Sequence, residues 1–445
     1  MALRFGTDGL RGVANAELTP ELALALGRAT VRVLGIDAIV VGTDTRRSSP
    51  LIEAAFVAGV ASHGCDVMRL GVVPTPTVAY AAHAEGCAGA VVSASHNPFV
   101  DNGIKLFGVG GRKLVDDVEA RIEGELHAEL DPAALPTGDA VGTITERPDL
   151  IDGYVEHLVA VLDGRDLQGV RVVLDCANGA ATPVAPQVFE RLGADVIVIN
   201  DQPDGSNINE RAGATHPEVL RLEVVETGAD LGLAFDGDAD RLIAVDHTGA
   251  VVDGDHTIAI CATDLFHRHL LRDDTVVVTV MANLGFRLSM QRQGIAVVET
   301  AVGDRYVLEA LDQGGYSLGG EQSGHVIFRD LATTGDGLLT GLLLLDIVRR
   351  SGRSLADLAG NAMTRLPQLL VNVRVAHRDP DIITTIASEL AAAEAALGES
   401  GRVLVRPSGT EPLIRVMVEA PTIEQAHAVA QPLVEAVKRS CGSPR

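Results

Sequence analysis

Three times along the chain a β-branched run leads into a loop rich in Gly, Asp or Asn, then an amphipathic helix, then a short Gly-led return to another apolar run: Ala38–Met68, Val170–Ile199 and Thr275–Glu299. A helix between two such runs is the connection that parallel neighbouring strands need. In the first segment Ala-Ile-Val-Val-Gly-Thr-Asp-Thr-Arg precedes a helix starting at Ser49 or Pro50 and closed by Gly64. The second places a helix over Val184–Leu192, and the third over Gly285–Gln293. The repetition predicts three related α/β domains with mixed sheets. The C-terminal part departs from it: strand Leu369–Val375, Ala-rich helix Pro380–Leu397, two strands at Val403–Val405 and Ile414–Val418 flanking a turn, then helix Ile423–Val437. That is a smaller α+β module. Boundaries are expected near 150, where Asp149 starts a connecting helix, near 251 and near 366, giving domains 1–150, 151–250, 251–366 and 367–445.

Charge narrows the partners. Asp and Glu total 60 against 36 Lys and Arg, a formal charge of −24, which argues against nucleic acid or an anionic membrane as a partner. An anionic substrate would need a locally positive site. The N-terminal residues lack the apolar core of a signal peptide, and the longest apolar stretch, Leu338 to Val348, is interrupted by Thr340, Gly341 and Asp346, so no membrane span is expected. Five scattered cysteines without a Cys-x-x-Cys pair fit reduced thiols in a cytoplasm.

The densest chemistry lies at Asp236-Gly-Asp238-Ala-Asp240-Arg241. Two like charges about 4 Å apart repel by roughly 4 kcal/mol at an effective dielectric near 20, so three converging carboxylates call for a hard dication. All-oxygen ligands suit Mg²⁺. The apolar run before the triplet and Leu242–Asp246 after it form a predicted hairpin whose connecting loop carries it. The alternative is a solvated acidic turn.

Three further loops are polar. The run Ala88–Val92 ends in Ser93-Ala-Ser95-His96-Asn97-Pro98, with Lys105 ten residues after Ser95; these groups could position a hydroxyl or neutralise a phosphate on it, or form an ordinary turn. Glu321 and Ser323 in Gly-Gly-Glu-Gln-Ser-Gly-His325 could bind vicinal sugar hydroxyls or simply be solvated. Arg406-Pro-Ser408-Gly409-Thr410-Glu-Pro, with Arg415 after it, combines hydroxyls, a glycine and two guanidiniums into a donor set for a phosphate dianion, although a plain hairpin turn has the same Pro and Gly. Arg11, in an N-terminal glycine-rich stretch, is another guanidinium able to reach phosphate, or a surface arginine on a simple turn. No P-loop, Gly-x-Ser-x-Gly elbow or complete Gly-x-Gly-x-x-Gly occurs.

In chain order, Ser93–Pro98, Asp236–Arg241, Gly320–His325 and Arg406–Pro412 resemble the α-D-phosphohexomutase family, over almost the whole chain. Phe5–Gly12, Gly205–His216 and Val302–Val307 look most like its bacterial members that act on glucosamine phosphates, with Ala212 where such relatives often have cysteine. The resemblance implies four domains around a central cleft, a phosphoryl group on Ser95, and one Mg²⁺ shared by Ser95, Asp236, Asp238 and Asp240. It implies that Arg11, Lys105 and Arg241 balance the charge, and that Lys105 or His96 acts as general acid or base. Glu321, Ser323 and His325 would take the sugar, while Arg406, Ser408, Gly409, Thr410 and Arg415 would hold the phosphate that does not react. The implied reaction interconverts glucosamine 6-phosphate and glucosamine 1-phosphate through a 1,6-bisphosphate that turns around in the site, an isomerisation feeding UDP-N-acetylglucosamine and cell-wall precursor synthesis. Relatives suggest a homodimer. Rival readings keep the fold and change the sugar to mannose or glucose, or make the chain a non-catalytic phosphosugar-binding regulator. An aspartyl-phosphate enzyme built on Asp236 fits poorly, because Ala239 and Asp240 stand where that mechanism needs threonine.

Overall fold

The computed structural model describes residues 5–6, 9–127, 135–377, 379–407 and 413–442. The chain divides into two compact units, Met1–Met281 with Ile295–Ala362, and Ala282–Gly294 with Met363–Arg445.

The first unit contains three mixed sheets that share one plan. In each, parallel strands linked through helices end at a strand that pairs with an antiparallel neighbour. In the N-terminal sheet Ala38–Thr43 lies between Asp66–Val72 and Ala88–Val92, both parallel to it, and Asp101–Gly108 then runs antiparallel beside Ala88–Val92. The second sheet has Arg171–Asp175 between Asp195–Ile199 and Leu231–Phe235, followed by antiparallel Leu242–Asp246. In the third, Thr275–Thr279 lies between Ala296–Thr300 and Leu318–Gly320, and Val326–Phe328 is the antiparallel partner. Central strands such as Ala88–Val92, Leu231–Phe235 and Thr275–Thr279 are buried along their whole length. Their Val, Leu and Ala content reads as continuous apolar runs because helices cover both faces.

This plan fixes where chemistry can occur. The connection from the parallel strand to its antiparallel partner holds Ser95 in the first sheet, the three aspartates in the second and Glu321–His325 in the third. Lys105 lies on the antiparallel partner strand of the first sheet, and Arg11 on the next strand, opposite Gly103.

The second unit is α+β. Strands Gln368–Arg374 and Arg402–Pro407 flank Leu413–Glu419, all antiparallel, and Val373, Ile414, Val416, Leu433 and Val437 form part of the core against helix Ile423–Cys441. Helix Leu284–Gln293, expected from sequence as the third crossover, groups with this unit. Its first turn is gripped by buried Glu419, which accepts from Leu284 N–H at 2.8 Å and from Asn283 Nδ2 at 3.2 Å while Arg402 Nε donates to it at 2.8 Å. The single helix expected over Pro380–Leu397 is instead two, Ile382–Thr385 and Ala387–Leu397. The β-branched run Ile383-Thr-Thr-Ile386 explains the break. Thr385 turns its hydroxyl to Asp379 at 2.7 Å, and such local bonds compete with continued helix.

Candidate active site

The hairpin connecting Leu231–Phe235 to Leu242–Asp246 brings the carboxylates of Asp236, Asp238 and Asp240 together, all buried, with one oxygen of each within 4.8 Å of the others. Ala239, between the second and third, has φ 57°, a left-handed backbone that a β-carbon disfavours, and such departures are characteristic of functional turns. Among the described residues, Asp238 Oδ1 and Asp240 Oδ1 are buried without a hydrogen-bond partner. Orphaned hard oxygens at that spacing fit a small divalent cation.

The charges are partly offset by protein. Lys105 Nζ lies 2.8 Å from Asp240 Oδ2 and 3.4 Å from Asp238 Oδ2. Arg241 Nε is 3.8 Å from Asp240 Oδ1, and His325 Nδ1 3.6 Å from the same atom. For Asp240 burial opposes ionisation, but Lys105, His325 and Arg241 outweigh it and hold the carboxyl well below the usual range. Asp236 is driven well above that range, by burial first and then by repulsion from Asp238 and Asp240. One dication would reverse the second effect.

Ser95 is almost fully buried and donates from Oγ to Asp236 Oδ2 at 2.5 Å, with His96 Nδ1 3.4 Å away. Its φ is 49°, so this serine too sits in the left-handed region. The structure thus brings together Ser95, His96, Lys105, Arg241, His325 and the three aspartates.

The Glu321–His325 connection is tied to the aspartate hairpin, since Leu242 N–H donates to Gly324 O at 3.0 Å. Glu321 Oε1 accepts from Gly303 N–H at 3.0 Å, and Ser323 Oγ approaches Glu321 Oε2 at 3.4 Å. His325 Nε2 accepts from Gly335 N–H at 3.2 Å, which leaves the ring proton on Nδ1, the nitrogen facing Asp240, when the imidazole is neutral.

In the second unit Arg406 and Arg415 stand opposite each other on adjacent strands. Burial and then Arg415 push the Arg406 guanidinium below its ordinary value, and Arg415 Nε is buried without a partner among the described residues. Both features suit an anion. Ser408, Gly409 and Thr410 lie outside the described residues.

Four contributors were not assigned to the site from sequence, although Asn209 and Asp304 lie within the Gly205–His216 and Val302–Val307 runs that carry the resemblance. Thr75 Oγ1 donates to Asp238 Oδ2 at 2.7 Å. Asp304 lies 3.7 Å from His325 Nε2 and pairs with Lys113. Arg46 and Asn209 both contact the backbone of the Ser95 turn. The available signal for Arg46 was its place at the carboxyl end of a parallel strand, where α/β sheets bind ligands.

Comparison with known proteins gives matches along nearly the whole chain. Models described as "Phosphoglucomutase/phosphomannomutase", alpha/beta/alpha domains I, II and III, match residues 2–132, 152–249 and 253–366, and the C-terminal domain model of that family matches 370–436. The chain is 55% identical over 460 aligned residues to a phosphoglucosamine mutase of Streptomyces avermitilis, covering 99% of this chain and 100% of that one. It is 53% identical to a phosphoglucosamine mutase of Frankia alni, with 100% of each covered. Among solved structures, a phosphoglucomutase/phosphomannomutase family protein of Burkholderia thailandensis superposes with TM-score 0.82 at 27% identity, over 98% of both chains.

Proposed function

The chain belongs to the phosphoglucomutase/phosphomannomutase family, and on that premise we propose that it is an isomerase interconverting glucosamine 6-phosphate and glucosamine 1-phosphate. The observation that carries the choice of sugar is the end-to-end likeness, above 50% identity, to proteins named for that activity.

In this reading Ser95 carries phosphate. In the first transfer the bond from Ser95 Oγ to phosphorus breaks as the sugar 1-hydroxyl bonds to that phosphorus, and the hydroxyl proton is relayed to Ser95 Oγ, giving the 1,6-bisphosphate. After the bisphosphate reverses, Ser95 Oγ takes the 6-phosphoryl group, and the serine proton is relayed to the 6-oxygen. Asp236, Asp238 and Asp240 would hold a divalent cation, Mg²⁺ by their oxygen chemistry, which would supply charge neutralisation at the moving phosphoryl group. Arg241 and Lys105 place cationic charge beside the aspartates, and Arg11 is assigned the same duty. His96, 3.4 Å from Ser95 Oγ, and Lys105 are the two candidates to move the proton. Glu321, Ser323 and His325 are assigned to the sugar, and Arg406 and Arg415, with Ser408, Gly409 and Thr410, to the phosphate at rest. Catalysis in such transfers rests chiefly on alignment and charge stabilisation.

The domain boundaries near 150, 251 and 366, a homodimer and a cytoplasmic setting complete the proposal. Among the described residues no helix is long and apolar enough to cross a membrane, and all five cysteines are free and buried, which suits a reducing compartment.

The test couples intact-mass analysis of the native protein and a Ser95→Ala variant to turnover of glucosamine, glucose and mannose 6-phosphates. The expected result is a phosphorylated wild type, a variant without phosphate or turnover, and preference for glucosamine. An active Ser95→Ala protein would refute the mechanism, whereas preference for mannose or glucose would replace only the sugar.

A further inference from the structure

The Ser95 turn is held from two sides by residues outside the family of groups assigned to catalysis. Arg46, at the end of strand Ala38–Thr43, is 1% exposed, yet all five of its guanidinium protons are directed at acceptors. Nη2 donates to the carbonyls of Ser95 and Asn97, both at 2.9 Å. Nη1 donates to Asp101 O at 3.0 Å and to Pro98 O, and Nε to Asp44 Oδ2 at 2.7 Å. Asp44 also accepts from Ser93 Oγ at 2.6 Å, and Ser93 Oγ in turn accepts from Ser95 N–H at 3.0 Å.

From the second sheet's domain, Asn209 Nδ2 reaches the same two carbonyls, Ser95 O at 2.9 Å and Asn97 O at 3.2 Å. Gly237 closes the arrangement, because a β-carbon there would stand 2.5 Å from Ser95 O and 2.8 Å from Asn209 Nδ2. The backbone strain of Ser95 at φ 49° needs such over-determination, since a left-handed serine relaxes when its neighbours allow it.

We infer that Arg46 and Asn209 are positioning residues that clamp the carbonyls of Ser95 and Asn97 from two domains and thereby aim Ser95 Oγ at the aspartate hairpin. Neither touches the hydroxyl. Arg46 acts as a planar fork satisfying separated carbonyls at once, which the single ammonium of lysine cannot reproduce. Asn209 makes the aim of Ser95 depend on the seating of the metal-loop domain against the first. The inference rests on Ser95 being the phosphoryl carrier.

The experiment compares full-length Arg46→Lys, Asn209→Ala, the double variant and Ser95→Ala with the wild type, measuring kcat, KM, Mn²⁺ binding and thermal midpoint. Misaiming a reacting oxygen by about 1 Å is expected to lower kcat by roughly a hundredfold in Arg46→Lys and about tenfold in Asn209→Ala, with KM and the Mn²⁺ Kd within about threefold of wild type. The double variant should fall short of the product of the single losses, because both grip the same carbonyls. Unchanged kcat in Asn209→Ala, or a loss matched by equal losses of Mn²⁺ binding and thermal stability, overturns the clamp. Should Arg46→Lys fail to fold, Asn209→Ala, which trims a buried amide without leaving an unpaired charge, decides alone. Turnover by Ser95→Ala would instead overturn the underlying functional reading.

Discussion

Thr75 holds Asp238 twice: its hydroxyl donates to Asp238 Oδ2 at 2.7 Å and its N–H to Asp238 O at 2.8 Å. Thr75 opens the helix Thr75–Ala84 of the first sheet's domain and is wholly buried, so the central carboxylate of the triplet is oriented by a neighbouring domain. Thr75→Val keeps the shape and the backbone bond and removes only the hydroxyl. The expected result is a loss of about 1 kcal/mol in stability and roughly five- to tenfold weaker activation by Mg²⁺, measured by denaturant unfolding and by metal titration of turnover. Unaltered metal activation would show that Asp238 is oriented without Thr75.

Lys105 is buried between Asp238 and Asp240, and removing it leaves three carboxylates with less compensation. Lys105→Met should destabilise the metal-free protein by about 3 kcal/mol, the scale for breaking a buried pair from one side. Saturating Mg²⁺ should restore much of that stability without restoring turnover, which should stay down by roughly a hundredfold or more. Melting curves with and without Mg²⁺, paired with assays, separate the two roles. Equal destabilisation in both conditions would mean that Lys105 is mainly a packing element.

The positions of the chemical loops were legible because each combines a period signal with a composition signal. The run ending at Phe235 and the one starting at Leu242 bracket the aspartates so tightly that a hairpin was the available solution, and the structure has it. Ser95 was equally visible, since Pro98 stops the chain just after a fully buried strand. The aim of these loops was not legible. Arg46 merely follows a strand in the sequence, and only the fold brings five acceptors around it. Thr75 and Asn209 lie far in sequence from the atoms they hold, and hydrogen bonds between domains leave no periodic trace. The break at Ile386 was missed because alanines on its C-terminal side raise helix propensity over a β-branched run that lowers it.

Glu119 supplies a pH dependence that can be separated from the active site. Burial is the main cause of its rise from 4.5 to about 7, with Lys113 opposing, even though Arg305 Nη2 lies 2.6 Å from its carboxylate. A carboxyl whose folded pKa exceeds its unfolded value binds more protons in the native state between the two. Its contribution to stability is therefore greatest at low pH and is lost as pH rises from 4.5 through about 7. Glu119→Gln keeps an acceptor for Arg305 and removes the titration. Relative to wild type the variant should gain stability on going from pH 5 to pH 8, read as the difference in unfolding midpoints across that window. A constant difference would indicate that Glu119 ionises normally in the folded protein.

Gly337 marks where the third sheet's domain supports the aspartate hairpin. Its N–H donates to Ala239 O at 3.0 Å, at the left-handed residue of the loop. A β-carbon on Gly337 would lie 2.5 Å from Arg241 O and 3.0 Å from Ala239 O, so the contact tolerates no side chain unless backbone moves. Both acceptors belong to the connection that carries Asp238 and Asp240, and a shift there alters the spacing of the ligand oxygens rather than their chemistry. Gly337→Ala should cost about 1–3 kcal/mol in stability, the range for overpacking a filled site. Because a small hard cation demands near-ideal oxygen geometry, Mg²⁺ activation should weaken more than activation by larger Mn²⁺ or Ca²⁺ binding. Metal titrations followed by activity for Mg²⁺ and Mn²⁺, and by calorimetry for Ca²⁺, give that ranking directly. Parallel weakening for all three ions would point to general unfolding of the domain contact instead of a distorted ligand triangle.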